Sequence, residues 1–386
     1  SLLRFHPWVF SGAIARVDGD IAEGDLVEVV SASGDTIGYG HYQVGSIAVR
    51  MLTFDEKLPG KKLWRERLGE AYMLRERVGV IRDDNSAYRL IHGEGDMLPG
   101  LIIDIYGETA VMQAHSAGMF MAREEIAEAL KDIYGDKLSA LYDKSSATAP
   151  FKASLDLIDK YLIGKGGGEE VVTENGLLFS VDWVHGQQTG FFLDQRDNRA
   201  LLGNYSAGRR VLNLFCYTGG FSIYALANGA LSVDSVDSSS KAMNMLEKNV
   251  ILNREAGKIS NNSTHTSITA DAIEFLKDSA ENQYDLMIVD PPAFAKHRGA
   301  LQNALRAYQR LNAAAISRIS HGGIIFTYSC SQVVDKTAFA EAVFSAAAST
   351  GRRVRILHRL TQPADHPVNI YHPEGEYLKG LVLYVE

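Results

Sequence analysis

Cys330 and Asp290 are the residues of this chain best placed by type and neighbourhood to make or break bonds. Each closes an apolar run, GGIIFTYSC for the thiol and LMIVD for the carboxylate. A lone cysteine is most often a small buried hydrophobe, yet a thiolate is also a strong nucleophile. Added to carbon 6 of a cytosine, it makes the otherwise inert carbon 5 enamine-like and able to attack an electrophilic carbon. One thiol and one carboxylate near that electrophile are what such chemistry needs. A free thiol of pKa about 8.5 is only a few per cent ionised at neutral pH, so a positive field or a base must assist it. Asp290 opens the sequence DPPAF, whose two prolines fix an extended turn without donating hydrogen bonds and leave the carboxylate at a strand tip. Cys216 is the competing thiol, but its position between an apolar strand and a glycine turn favours packing or cofactor contact.

That glycine turn lies in VLNLFCYTGGFSIYALANGA, residues 211–230. A buried strand runs into Thr218-Gly219-Gly220 and then into a helix, which lets backbone approach a ligand at the helix N-terminus. The next strand ends in Asp237, 17 residues after Gly220, where a carboxylate can accept from both ribose hydroxyls. A nucleoside ligand fits. Neither G-x-G-x-x-G nor G-x-x-x-x-G-K-[ST] is present in the chain, so S-adenosylmethionine, which has no pyrophosphate to cradle, fits better than a dinucleotide or a nucleoside triphosphate. Asp271 follows a third strand and could accept from an adenine amino group or cap the helix after it. Enzymes that methylate amino groups place an aromatic directly after Asp-Pro-Pro; here Ala293 intervenes before Phe294, which argues against an exocyclic amine as target.

Other chemistries lack support. None of the eleven histidines shows H-E-x-x-H spacing, and two cysteines cannot build a four-cysteine site, so no metal is expected. There is no G-x-S-x-G elbow. A net charge of −8 argues against non-specific coating of nucleic acid, and residues 1–53 hold three basic against six acidic side chains. Any electropositive track must be assembled by folding. The absence of a long apolar run and of signal-peptide order at the start leads to the expectation of a cytoplasmic protein with no membrane partner.

The elements that must carry these residues follow from periodicity. Strands are expected at 26–30, 36–42 and 47–52, forming a small β-barrel, then a helix over 62–79. Strands at 101–105, 110–114 and 138–142 and a helix over 120–133 make a central α+β unit, and the glycine-rich stretch 164–170 is a turn or linker. Beyond it, strands at 210–215, 232–237, 266–270, 286–290 and 323–328 alternate with helices at 221–228, 241–253, 272–278, 300–317 and 336–349. Such alternation means right-handed βαβ units in a doubly wound sheet that binds ligands at the carboxyl ends of its strands. The expected division is 1–70, 71–168 and 169–386.

At these residues the chain resembles the bacterial large-subunit ribosomal RNA methyltransferase I family, which forms 5-methylcytosine in 23S rRNA. The resemblance runs through LLRFHPWVFSGAI (2–14), RLIHGEGDMLPGLIIDIYG (89–107), GQQTGFFLDQRDNR (186–199), the glycine turn, DPPAFAKHR (290–298), SCS (329–331) and PEGEYLKGL (373–381). It implies a PUA-type RNA-binding barrel, a central α+β domain and a C-terminal Rossmann-like class I methyltransferase. It makes Cys330 the nucleophile and Asp290 the carboxylate near cytosine N3. Asn213, Phe215, Tyr217, Thr218, Gly219, Gly220, Asp237, Asp271, Asp290 and Pro291 would line the S-adenosylmethionine site. The segment 188–196 would close over cofactor or base, with Gln188 and Thr189 at the cofactor; the alternative is a structural hairpin carrying Asp194 and Arg196 as a surface pair. Arg196, Arg199, Phe294, Lys296 and Arg298 would meet RNA. Glu376 and His366 are candidates for the base that removes the carbon 5 proton. Alternatives are a methyltransferase acting on another RNA position or a small molecule, and a non-catalytic RNA-binding assembly factor. A homodimer is one assembly such a chain could form.

Overall fold

Short alternating runs separated by glycine turns bury one face and expose the other, the pattern of an antiparallel sheet. The structure, a computed structural model, describes residues 2–150, 157–295 and 297–386. Strands β1 (Trp8–Phe10), β2 (Leu26–Val30), β3 (Thr36–Tyr42) and β4 (Ile47–Thr53) form a four-stranded antiparallel sheet in the order β1-β4-β3-β2. Val9, Val49 and Met51 make its small core.

Helix α1 (Lys62–Arg77) turns Trp64, Leu68 and Ala71 inward against a second sheet. That sheet comprises β5 (Ala87–His92), β6 (Leu101–Tyr106), β7 (Thr109–Ala114), β8 (Ala140–Asp143) and β9 (Lys160–Ile163), in sequential order. Only the β7/β8 pair is parallel, and its crossover holds α2 (Ala117–Met121) and α3 (Arg123–Tyr134). The single helix expected over 120–133 is thus two. Ser116 caps the first, the chain closes at Ala122, and Arg123 donates to the carbonyl of Phe120 at 2.7 Å while its guanidinium covers that ring. A hairpin of β10 (Glu169–Glu174) and β11 (Leu177–Asp182) follows.

The chain then enters α4 (Arg196–Gly203), β12 (Arg210–Leu214), α5 (Gly220–Ala227), β13 (Ser232–Asp237), α6 (Ser240–Glu255), β14 (Thr264–Thr269), α7 (Ala272–Asp278), β15 (Leu286–Val289), α8 (Leu301–Arg318), β16 (Gly323–Ser329), α9 (Lys336–Thr350), β17 (Val354–Leu360) and β18 (Lys379–Val385). The seven strands are ordered β14-β13-β12-β15-β16-β18-β17. Strands β12 to β16 are mutually parallel, as the alternation predicts; β18 inserts antiparallel between β16 and β17, which the alternation does not predict. Every residue of β15 and β16 is buried, so these central strands read as continuous apolar runs rather than alternating ones. The chain runs outward from β12 to β14 and returns to β15 on the other side, placing a topological switch point between β12 and β15.

The chain divides into two compact units, one of residues 1–173, 181–193 and 364–375, the other of residues 174–180, 194–363 and 376–386. The second holds the seven-stranded sheet. Among the described residues no helix is long and apolar enough to cross a membrane, and no group of three or more His, Cys, Asp or Glu is arranged to hold a metal.

Candidate active site

At the carboxyl end of β12 the backbone twists sharply. Phe215 (φ 58°), Tyr217 (φ 48°) and Gly219 (φ 83°) are all left-handed. For the two aromatics this conformation costs on the order of 1–2 kcal/mol each, strain of the kind concentrated at ligand sites. The loop is held by its neighbours: the amide of Gly219 donates to the carbonyl of Cys216 at 2.9 Å, and Asn249 donates to the carbonyl of Thr218 at 3.0 Å. At the tip of β13, Asp237 accepts from the amides of Tyr217 (3.0 Å) and Ser239 (2.9 Å), which fixes its carboxylate against the loop. A Cβ at Gly219 would stand 2.5 Å from Leu246. Gly220 starts α5 directly, so first-turn amides open toward the same loop.

Two polar atoms of this cradle have no partner among the described residues. The Thr218 hydroxyl and the Asn213 Oδ1 are buried and unsatisfied, although Asn213 donates through Nδ2 to Ser222 at 2.8 Å. Buried polar atoms left this way call for a ligand or water. The donor set, a half-buried carboxylate, a hydroxyl, a side-chain amide and helix-start amides, suits a ligand that combines a ribose with an amino-acid moiety. Asp271 caps α7, its Oδ1 accepting from the amides of Ile273 and Glu274 at 2.9 and 3.0 Å, with Oδ2 outside the cap. The capping option is therefore in use. Cys216 is buried, its sulfur 3.6 Å from that of Met243.

Asp290 stands one residue past β15 and Cys330 one residue past β16, both half-buried. Pro291 is buried behind Asp290. Gln195 donates to Asp290 Oδ2 at 2.9 Å. The orientation of Gln195 is itself fixed, because Asn198 donates to its Oε1 at 2.7 Å. Burial, then the negative charge of Asp194, pushes Asp290 up to about 7, with Gln195 pulling the other way. The loops after β15 and β16 are tied together where Ser331 donates to the carbonyl of Ala295 at 2.7 Å and the Phe294 ring rests 4.8 Å from that of Tyr308. Tyr308 accepts in turn from Ser329 at 2.9 Å.

The Cys330 thiol is pushed up to about 11 by burial, then by Asp290 and Asp194, and is drawn down by Lys379. Lys379, buried at the start of β18, donates to the carbonyls of Ser331 and Tyr377, both at 2.6 Å. Burial lowers this ammonium to about 8. A buried cation beside a thiol is the field that ionisation requires. Sequence reasoning missed Lys379, Gln195, Asn198 and Tyr377, although all lie in motifs quoted above; a lysine at the head of an apolar strand was the available signal.

The other expected residues are more scattered. Arg196 is buried, its side chain 3% exposed, with Asp197 at 3.6 Å. It is not the outward-facing phosphate ligand expected of it, because the first turn of α4 points it into the protein. Asp194 accepts from the Tyr377 hydroxyl at 2.7 Å. Arg199 is also buried, in a two-pronged ion pair with Glu174 at 2.9 and 2.7 Å. Phe294 is half-buried and Arg298 exposed; Lys296 lies outside the described residues. In the other unit Gln188 is exposed and left-handed (φ 51°), and Thr189 is buried, donating to Asp104 at 2.5 Å with the Tyr106 hydroxyl at 2.9 Å. His366 belongs to that unit and sits 3.1 Å from Asp365. Glu376 lies 3.6 Å from Lys336.

A Rossmann-like sheet of this order, with a glycine loop, an acidic tip on the second strand and a carboxylate at the switch point, defines a class I methyltransferase. Residues 154–375 match the S-adenosylmethionine-dependent methyltransferase family, and residues 1–54 match the PUA-like domain family. The ribosomal RNA large subunit methyltransferase I of Tolumonas auensis is 39% identical over 390 residues, covering 99% of this chain and 96% of that protein. The protein of the same name from Escherichia coli is 36% identical, covering 100% and 96%. A protein crystallised with SAH superimposes with a TM-score of 0.84 at 22% identity over 100% of this chain and 97% of its own. A protein structure from Streptococcus mutans gives 0.83 at 22% identity, over 100% and 96%. The chain belongs to the ribosomal RNA large subunit methyltransferase I family, and its cofactor is S-adenosylmethionine.

Proposed function

We propose that this protein methylates carbon 5 of a cytosine in 23S rRNA through a transient bond between Cys330 and carbon 6. The observation that carries the reading is the pairing of a thiol and a proton-holding carboxylate at adjacent strand tips, β15 and β16 being parallel neighbours with Val289 opposite Thr327. Asn213, Phe215, Tyr217, Thr218, Gly219, Gly220 and Asp237 would hold the cofactor. Bound there, S-adenosylmethionine supplies an electrophilic methyl group and, through its sulfonium, part of the field that ionises the thiol.

The target nucleotide must leave its stack to reach this depth, which costs a few kcal/mol and least in loops. Lys379 stabilises the Cys330 thiolate as its sulfur bonds carbon 6. Asp290, about half protonated at pH 7, gives its proton toward N3, so the electron pair of the broken ring double bond settles at carbon 5. Once carbon 5 carries the methyl and N3 has returned its proton to Asp290, carbon 5 loses its own proton to a base, the C5–C6 double bond reforms, and the sulfur leaves. Gln195, oriented by Asn198, keeps Asp290 aimed at one position.

The RNA would lie against a basic stretch that the net charge conceals. Residues 291–318 contain no acidic side chain and five basic ones, and Arg298, Arg306 and Arg310 are exposed. The PUA-like barrel within 1–70 would add contacts, the central segment 71–168 would join it to the methyltransferase portion 169–386, and the enzyme would work in the cytoplasm, where its substrate is.

Replacing Cys330 by Ala is expected to abolish methyl transfer while leaving the affinity for S-adenosylhomocysteine within about twofold. Mass spectrometry of the labelled nucleoside from the parent enzyme should give 5-methylcytidine. Turnover by the alanine variant, or a different methylated nucleoside, refutes the reading.

A further inference from the structure

The chemistry above leaves one step without a residue, the removal of the carbon 5 proton. We infer that Asp194 is the base. The inference rests on the Cys330 reading and identifies a further catalytic group within it.

Asp194 sits in the 3-10 turn Leu193–Gln195, immediately before the glutamine that bonds Asp290. Its Oδ2 accepts from the Tyr377 hydroxyl at 2.7 Å. Its Oδ1 is buried and has no hydrogen-bond partner among the described residues. A carboxylate held by one oxygen, with the other desolvated and unsatisfied, is poised to take a proton. The next residue, Gln195, donates to Asp290 at 2.9 Å, which sets the Asp194 turn beside that carboxyl, and the negative charge of Asp194 bears on both Asp290 and Cys330.

Two carboxylates in one site can divide the labour, one giving a proton and the other taking one. Asp290 is the one driven toward its neutral form, which suits donation at N3. Asp194, held through Oδ2 by Tyr377 and with Oδ1 lacking a hydrogen-bond partner among the described residues, is the acceptor. The competing candidates fit less well. Glu376 is 39% exposed and lies beside Lys336, and the Tyr328 hydroxyl, although buried without a partner among the described residues, has its proton held more tightly by burial. The step balances simply. The C5–H bond breaks toward Asp194 Oδ1, its electron pair forms the C5–C6 double bond, and the C6–S bond breaks to return the Cys330 thiolate.

The test uses the full chain, S-adenosylmethionine and 23S rRNA fragments labelled with tritium at cytosine carbon 5. Asp194→Asn is expected to incorporate methyl groups up to one per enzyme and to hold them in a covalent enzyme–RNA adduct that survives denaturing electrophoresis. Its tritium release should fall at least ~100-fold, the scale of a lost general base. The double variant Cys330→Ala/Asp194→Asn should form no adduct. Tritium release at the parental rate overturns the assignment, as does a variant that binds S-adenosylhomocysteine normally but incorporates no methyl. Should Asp194→Asn fail to bind S-adenosylhomocysteine, Tyr377→Phe decides. That variant keeps the carboxylate but loosens it, and should slow tritium release at least ~10-fold more than methyl incorporation; equal slowing of both overturns the inference. Methylation by Cys330→Ala alone would instead bring down the reading on which it rests.

Discussion

Asp290 carries a thermodynamic signature that can be read without any substrate. Its folded-state pKa, about 7, lies far above the ordinary 3.8, so the folded protein binds this proton more tightly than the unfolded chain does. Stability associated with the protonated form is therefore complete below about pH 4 and drains away as pH climbs to about 7. An asparagine at this position does not titrate. Asp290→Asn should match the parent in urea denaturation near pH 4 and exceed it by on the order of 2–4 kcal/mol at pH 8, while losing methyl transfer. A constant difference across that range would show that the carboxyl is not desolvated as described. The same residue marks where sequence reading succeeds. Asp290 and Cys330 each end an apolar run, and a strand tip in a parallel sheet is where a ligand must sit. Lys379 also bears on Cys330, but its one signal, a lysine heading an apolar run, acquires meaning only once β18 inserts beside β16.

At the scale of elements, the cofactor loop depends on Gly219 for two separate reasons. Its left-handed backbone disfavours any side chain, and an added Cβ would meet Leu246 of α6 at 2.5 Å. Gly219→Ala should destabilise the protein by about 1–3 kcal/mol and weaken S-adenosylhomocysteine binding at least tenfold, as calorimetry would measure; unchanged affinity would mean the loop does not form the cradle. The turn was legible from two adjacent glycines after a buried strand. The helices of the βαβ units were equally legible, α7 to the residue, because Asp271 begins it with a cap. What escaped were β1, β5, β9, β10 and β11 and, nearer the site, α4, β17 and β18. Strand β17, VRILHRL, is the sheet's edge and is charged on both faces, so its period-two signal is weak. Helix α4 is short and polar, and it stays in place through contacts no local pattern encodes. Glu174, from the distant β10, holds its Arg199 and also accepts from Tyr224 of α5 at 3.0 Å. That buried pair anchors the turn carrying Asp194 and Gln195, so geometry at the active site is set by a residue some twenty positions earlier.

Across the whole molecule, charge poses the remaining problem. A chain of net charge −8 must engage a polyanion, and its first 53 residues are themselves acidic. Long-range attraction to RNA is then unavailable, and binding must come from short-range contacts at a local basic surface. Arg298, Arg306 and Arg310 provide one, since they are exposed on the segment that leaves Asp290 and continues along α8, a segment with no carboxylate of its own. Arg306 and Arg310 are four residues apart and so lie on one face of the helix. Each phosphate contact releases condensed counterions, contributing about −0.7 to −0.9 to the slope of log affinity against log salt. The triple variant Arg298→Glu/Arg306→Glu/Arg310→Glu should therefore weaken binding of a 23S rRNA fragment more than tenfold at 0.1 M salt and flatten that slope by about 2–3. S-adenosylhomocysteine affinity and thermal stability should not change, because none of the three side chains is part of the cofactor cradle or the core. A variant with unaltered slope would move the RNA track off α8 and leave the acidic barrel to bind RNA by base contacts alone.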